Sequence, residues 1–294
     1  MRFVRSAVLV VACALAGGAS LAGAAMVGVL AGEGTPAILR IDEVTGAGTL
    51  IATAPTSLAG VGFTSRGRLF VTTGAGSSNL LECNPVTGAV ISTKPILAGN
   101  NDGGIADIAF QPGTDVLFGV TSNFGSRYGL PPGSAGTLVT IDLATGALTV
   151  IGRDAQLGDE LGGIAFAPDG TLYFVRGQNT VGVLHQLDPA TAAILSTTPL
   201  SPAVGFVGLA VRPRDGLLFA SGSPAFGQKD VIYTIDAASG AVTEVGPAGS
   251  PIKVHDLAFQ PETSATPVFG PGALVAAALL MGAAGALRLR SLRQ

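Results

Sequence analysis

The chain contains no tryptophan, two histidines and two cysteines, and only 12% of its 294 residues are charged. Each scarcity excludes something. Cys13 falls in the leader described below, so Cys83 is the one thiol of the mature chain and no internal disulfide is possible. Paired-cysteine metal motifs are absent, as are G-x-S-x-G, H-E-x-x-H and phosphate-loop patterns, so the inventory for nucleophilic, zinc-dependent or nucleotide chemistry is thin. Aromatic residues make up 5%, whereas glycine occurs 43 times. Low charge with abundant Gly, Thr and Val suits a many-turned all-β protein better than a helical one. The length is ample for one large core.

Charge of one sign is also missing where a nucleic-acid binder would need it. All 19 acidic residues lie between Glu33 and Glu262 against 11 basic ones, a net of −8, while Arg2, Arg5, Arg288, Arg290 and Arg293 sit at the ends. An acidic body argues against nucleic acid as a partner, since phosphate recognition needs a basic footprint.

The two ends read as address and anchor. Arg2 and Arg5, the apolar run Ala7 to Ala16 and the small-residue site Ala22-Gly23-Ala24 are the three parts of a secretory signal, with cleavage expected between Ala24 and Ala25. Two alternatives stay open: Val10-Val11-Ala12-Cys13 resembles a bacterial lipobox that would lipidate Cys13, or the segment stays as an uncleaved anchor. Phe269 to Leu287 is 19 residues without a charge, just long enough to span a bilayer. The arginines directly after it would keep the extreme C-terminus in the cytoplasm. The expected organisation is a signal peptide (1–24), a β domain (25–263), a linker (264–268), a transmembrane helix (269–287) and a basic tail (288–294). The middle of the chain is then extracytoplasmic, in a bacterial periplasm or at the cell surface.

Two patterns alternate along that middle. One is an apolar strand, a turn and a second strand: VGFTSRGRLFV from Val61, IAFQPGTDVLFGV from Ile108, IAFAPDGTLYFV from Ile164 and LAVRPRDGLLFA from Leu209, with LAFQPET from Leu257 cut short. Their anchoring positions are Phe63, Phe110, Phe166, Val211 and Phe259, spaced by 47, 56, 45 and 48. The other carries a turn beginning at Asp42, Asn84, Asp142, Asp188 or Asp236, followed by Gly46, Gly88, Gly146 and Gly240 but by Ala192 in the fourth copy. An Asx side chain accepts a hydrogen bond from the backbone two residues on, and glycine permits positive φ, so these acidic residues are structural. A calcium loop needs several oxygen ligands within about a dozen residues, and each turn offers one. The fifth copy of the first pattern lacks a partner at the end, and the second lacks one at the beginning. Met26 to Ala31 supplies the missing strand beside Val254 to Phe259. The expected fold is all-β, a five-bladed β-propeller of four-stranded repeats closed by one C-terminal and three N-terminal strands. Radial closure protects sheet edges, and a monomer is expected.

The run IDxATGxxTxIG followed by GIAFxPDGxLYxV resembles the repeat of YVTN-type β-propellers over roughly Met26 to Thr263. That resemblance implies a propeller of a family of extracytoplasmic and archaeal surface proteins with related enzymes, while propellers at large host adhesins, lactonases, dehydrogenases and plain scaffolds. The C-terminal tail resembles the sorting tails of exosortase substrates, a short motif, one membrane helix and then arginines. Thr266-Pro267-Val268-Phe269 stands where those tails carry Pro-Glu-Pro.

In such a strand order the turns inside each pattern lie on one face and the longer connections lie on the other. Variable loops on a rigid scaffold are where binding residues sit, which nominates Asn123, Arg127, Tyr128, Gln228 and Lys229. The starts of the innermost strands bring Asp102, Asp107, Glu160, His255 and Asp256 towards the central channel. An acidic ring with one histidine could hold a divalent cation through carboxylate oxygens, calcium or magnesium, with calcium the cofactor expected if there is one. The plainer reading, and the favoured one, is a solvated rim or an Asp bonded to backbone amides. His185 and Cys83, aligned with core positions, read as packed residues. Three functions follow. The first is a non-catalytic anchored propeller that binds an envelope protein or polysaccharide. The others are a metal-dependent, lactonase-like hydrolase and a structural matrix component.

Overall fold

The computed structural model of the chain describes residues 24–30, 35–74, 78–96, 104–121, 136–153, 162–176, 182–223, 231–249 and 254–262. The expected leader up to residue 23 and the expected membrane helix at 269–287 lie outside the described residues. The described residues form twenty strands in five four-stranded antiparallel sheets. In chain order β1 (Met26–Leu30), β2 (Ala37–Ile41) and β3 (Gly48–Thr53) come first. Blade 1 is β4 (Leu58–Phe63), β5 (Leu69–Thr73), β6 (Asn79–Cys83) and β7 (Val90–Pro95); blade 2 is β8 (Ile105–Phe110), β9 (Leu117–Thr121), β10 (Leu138–Ile141) and β11 (Leu148–Gly152). Blade 3 is β12 (Gly162–Phe166), β13 (Leu172–Arg176), β14 (Val183–Leu187) and β15 (Ile194–Pro199). Blade 4 is β16 (Gly205–Val211), β17 (Leu218–Ser223), β18 (Val231–Ile235) and β19 (Val242–Pro247). The last strand, β20 (Val254–Phe259), joins the first three as blade 5, in the order β20-β1-β2-β3.

Closure pairs the strands expected from the sequence, β1 beside β20. Met26 faces Phe259 and Gly28 faces Leu257 across the β20–β1 pair, while Met26 faces Ile41 across β1–β2. The N–H of Gln260 adds a 2.8 Å bond to the carbonyl of Ala25. The innermost strands β4, β8, β12, β16 and β20 pack one on the next, and β20 returns to β4.

Periodicity places the core. Alternate side chains of the inner strands leave each sheet on opposite faces, so every blade interface receives apolar residues from both neighbours, and five buried clusters result, one per interface. Phe110 meets Phe70 of blade 1 with ring centroids 5.5 Å apart, Phe166 meets Phe118 of blade 2 at 5.0 Å and Phe259 meets Phe219 of blade 4 at 5.2 Å. One rule explains all three pairs: the last residue of an innermost strand packs on the second residue of the neighbouring blade's second strand. Outer strands read as half-exposed, with Leu50, Ile91, Val150 and Leu195 open to solvent.

The turns behave as their residues dictate. Oδ1 of Asp42, Asn84, Asp142, Asp188 and Asp236 accepts the N–H two residues on at 2.8–2.9 Å. Bonds from amide and hydroxyl groups of the turn hold Asp42, Asp142, Asp188 and Asp236 below their usual carboxylate range: the Thr45 amide for Asp42, the Thr145 hydroxyl for Asp142, the Ala190 amide for Asp188 and the Ser239 amide for Asp236. Charged pairs brace the closing blade from outside, where Arg212 and Arg214 of blade 4 both reach Glu43, at 3.0 and 2.9 Å.

Candidate functional site

The third position of the β4, β8 and β20 strands, and its equivalents in β12 and β16, reads Gly60, Asp107, Gly163, Gly208 and Asp256 around the axis. The ring is too tight for five side chains. A Cβ at Gly163 would stand 2.6 Å from the Leu209 amide nitrogen, and one at Gly208 would stand 2.5 Å from the Cα of Asp256. Glycine therefore occupies three positions by exclusion, and two carboxyl groups fill the space that remains.

Asp107 and Asp256 are both fully buried. They come from blades 2 and 5, with blade 1 between, and are hydrogen-bonded to each other across the axis. Their oxygens also collect the next amide from every blade. Asp107 accepts the N–H of Ile108 at 2.5 Å and of Ile164 at 2.8 Å. Asp256 accepts those of Val61 and Leu257, each at 2.6 Å, and that of Leu209. Five equivalent amides, one per blade, thus end on two carboxyl groups. Buried amides left without acceptors would each cost about 1–3 kcal/mol, so the pair satisfies the innermost ring as a cap satisfies a helix end.

Burial raises both acids. Desolvation first, then the charge of Asp256, pushes Asp107 well above the ordinary carboxylate range. Desolvation pushes Asp256 up to about 7 against the pull of its amide donors. Chemically, two carboxyl groups sharing a proton can serve as an acid–base dyad. Here their lone pairs are directed at backbone N–H groups and solvent is excluded, so the arrangement shown is that of a plug. Both acids are bonded to backbone amides.

The other axial residues fall elsewhere. His255 is partly buried and turned to the neighbouring blade, with Nδ1 3.2 Å from the carbonyl oxygen of Ala59, so Nδ1 carries the proton; desolvation lowers its basicity and keeps the ring neutral. Asp102 and Glu160 lie outside the described residues, as do the loop residues Asn123, Arg127, Tyr128, Gln228 and Lys229. Among the described residues no three His, Cys, Asp or Glu side chains are gathered as a metal site. His185 is a core residue, stacked on Phe174 with Nδ1 2.8 Å from the Thr197 hydroxyl. Cys83 is buried, and burial pushes its thiol up to about 11, which makes it inert.

One cavity was not anticipated. The axis opens on the short-turn face as a funnel of about 310 Å³, with Phe63, Phe110, Phe166, Val211 and Phe259 as its collar and Pro112, Pro168, Pro213 and Pro261 in its lining. It narrows to a chamber of about 90 Å³, walled by Gly62, Ala109, Ala165, Ala210 and Ala258. The signal was present in the sequence, in a small residue two places after each ring position and a proline two places after each collar residue except Phe63.

No family model matches the chain, and no curated protein matches it. Solved structures do. A protein of unknown function from Bacteroides thetaiotaomicron VPI-5482 is similar with a TM-score of 0.50 at 13% identity, over 83% of this chain and 64% of that one. A protein of unknown function from Bacteroides caccae gives 0.49 at 12% identity, over 81% and 99% respectively. Glutaminyl cyclase of Myxococcus xanthus gives 0.43 at 16%, over 68% and 69%. At these identities the likeness is one of fold alone.

Proposed function

We propose that the chain is a non-catalytic, extracytoplasmic β-propeller, held at a membrane by its C-terminal segment, that binds an envelope protein or polysaccharide through its long-loop face. One observation carries the reading. The buried acids best placed for chemistry, Asp107 and Asp256, spend their oxygens on the amides of all five blades. A scaffold sealed on its axis leaves recognition to its loops, and the sequence gives those loops Asn123, Arg127, Tyr128, Gln228 and Lys229. The YVTN-like repeat and the exosortase-like tail support the same location. Cleavage between Ala24 and Ala25 suits it too, because it leaves β1 and the Gln260 bond to Ala25 intact.

The test has two arms. A chain lacking Phe269–Gln294 should leave the membrane fraction as a soluble propeller; continued pelleting would assign the anchor to the N-terminus or Cys13. Purified cell-wall polysaccharide should bind the full chain and lose affinity at least about tenfold with R127A/Y128A/K229A, a cost of about 1.4 kcal/mol. If that variant binds polysaccharide unchanged, the long-loop face is not its site.

A further inference from the structure

We propose that Asp107 is a carboxylic acid that donates its proton to the Asp256 carboxylate, and that this one proton locks the five blades on their axis. The first ground is stoichiometric. A carboxylate only accepts hydrogen bonds, yet these two groups are bonded to each other while both also receive amide donors. A proton must therefore stand between them. The second ground is the distribution of donors. Five amide dipoles converge on the pair, three on Asp256 and two on Asp107, which suits one shared negative charge with Asp256 as its main carrier. A second charge would lie beside the first at a site with no solvent exposure.

The surroundings offer that second charge no relief. Among the described residues of the five innermost strands, His255 is the one other titratable side chain, and it is neutral with its proton on Ala59. On the strands next outward, the charged or titratable residues are Tyr173 and Arg176 of β13, and Tyr173 hydrogen-bonds to Gln186. The charged group acting on Asp107 is Asp256 itself. Loss of the proton leaves two carboxylates repelling each other across the axis, and the amides of Val61, Ile108, Ile164, Leu209 and Leu257 are held by whichever group stays. The device is a latch that alkali opens. Burial raises both acids above their unfolded values, so the folded state binds protons that the unfolded chain releases. The stabilisation is full below the unfolded value and is lost as pH rises through the folded one.

The test uses the full-length protein. Carboxyl carbon NMR should show both side chains titrating well above the unfolded aspartate range, and the melting temperature should fall by about 2–4 °C per pH unit above neutrality. D107N keeps a donor towards Asp256 but cannot lose it. Its melting temperature should be lower at pH 6, because Ile108 or Ile164 loses an acceptor, and should fall less steeply between pH 6 and 9 than that of the unaltered protein, since only Asp256 is left to titrate. A D107N slope equal to that of the unaltered protein would overturn the proposal. So would ordinary titration of both carboxyls near pH 4. If D107N does not fold, the carboxyl titration of the unaltered protein decides alone.

Discussion

Ala192 occupies a left-handed turn position, φ 64°, and its turn packs on Gly152 of the neighbouring blade, where a Cβ would stand 2.5 Å from the Thr191 carbonyl oxygen. In blades 2 and 4 the glycine is on the turn instead. Gly146 and Gly240 sit at the equivalent turn with φ of 76° and 73°, and a Cβ on either would stand 2.1 and 2.0 Å from the carbonyl oxygens of Pro95 and Pro199. Ala192 is the one residue other than glycine among the five equivalent turn positions, and at the blade 4–blade 5 interface Gly46 meets a second glycine, Gly246.

That arrangement is testable by unfolding in denaturant. G146A should cost about 2–3 kcal/mol, since it combines left-handed strain with a backbone clash. G152A should cost a similar amount, because its Cβ would stand 2.5 Å from the Thr191 carbonyl oxygen. A192G should stay within about 1 kcal/mol, as relief of strain offsets the lost methyl. Equal tolerance of G146A and A192G would dissolve the relationship.

The phenylalanines that end the innermost strands should carry much of the stability. F166A should cost about 3–5 kcal/mol, the range for emptying a buried aromatic site. Phe110 keeps one side open to the funnel, so F110A should fall at or below the low end of that range. Calorimetry showing both variants near-unchanged would remove the inter-blade assignment.

Removal of Ala25–Gly32 should lower the melting temperature and promote aggregation, measured by calorimetry and light scattering. The deleted β1 lies between β20 and β2, so both lose a hydrogen-bonded neighbour and present open edges. N-terminal sequencing of the natural protein gives the complementary check. A stable monomer starting beyond Gly32 would contradict the closure.

Acid should destabilise the protein through its turns. The folded state lowers the turn aspartates, so their contribution is present above the unfolded value and is lost as pH falls through the folded one. Combined with the axial pair, whose sign is opposite, this places maximal stability in mildly acidic solution. D142N should be nearly neutral at pH 7, since Asn84 already fills that role with Oδ1 at 2.9 Å from the Val86 amide nitrogen. Between pH 5 and 3 it should lose less stability than the unaltered chain; an identical acid limb would exclude Asp142 as a contributor.

Blade count, strand order and the β20–β1 pairing were legible in the sequence because turn chemistry repeats: Asp or Asn opens the turn and glycine follows. The axis was half legible. Asp107, His255 and Asp256 were placed beside the channel, but the partners that explain the acids are amides, which carry no sequence signal. The useful sign was instead Gly60, Gly163 and Gly208 at the matching positions, small residues marking a ring too narrow for a Cβ. The funnel carries no separate sequence signal in its collar, because Phe63, Phe110, Phe166, Val211 and Phe259 also pack in the inter-blade core.

The measurement closest to the central claim is thermal unfolding of the purified full-length chain with calcium and with chelator, paired with its metal content. A plug whose oxygens are committed to amides should offer a cation no vacant ligands. The melting temperature should then agree within about 1 °C in millimolar calcium and in EDTA, with metal well below one equivalent. A saturable rise with calcium that disappears in D256N would contradict it, since ligand binding stabilises by mass action, and would return the axial acids to the metal-dependent hydrolase.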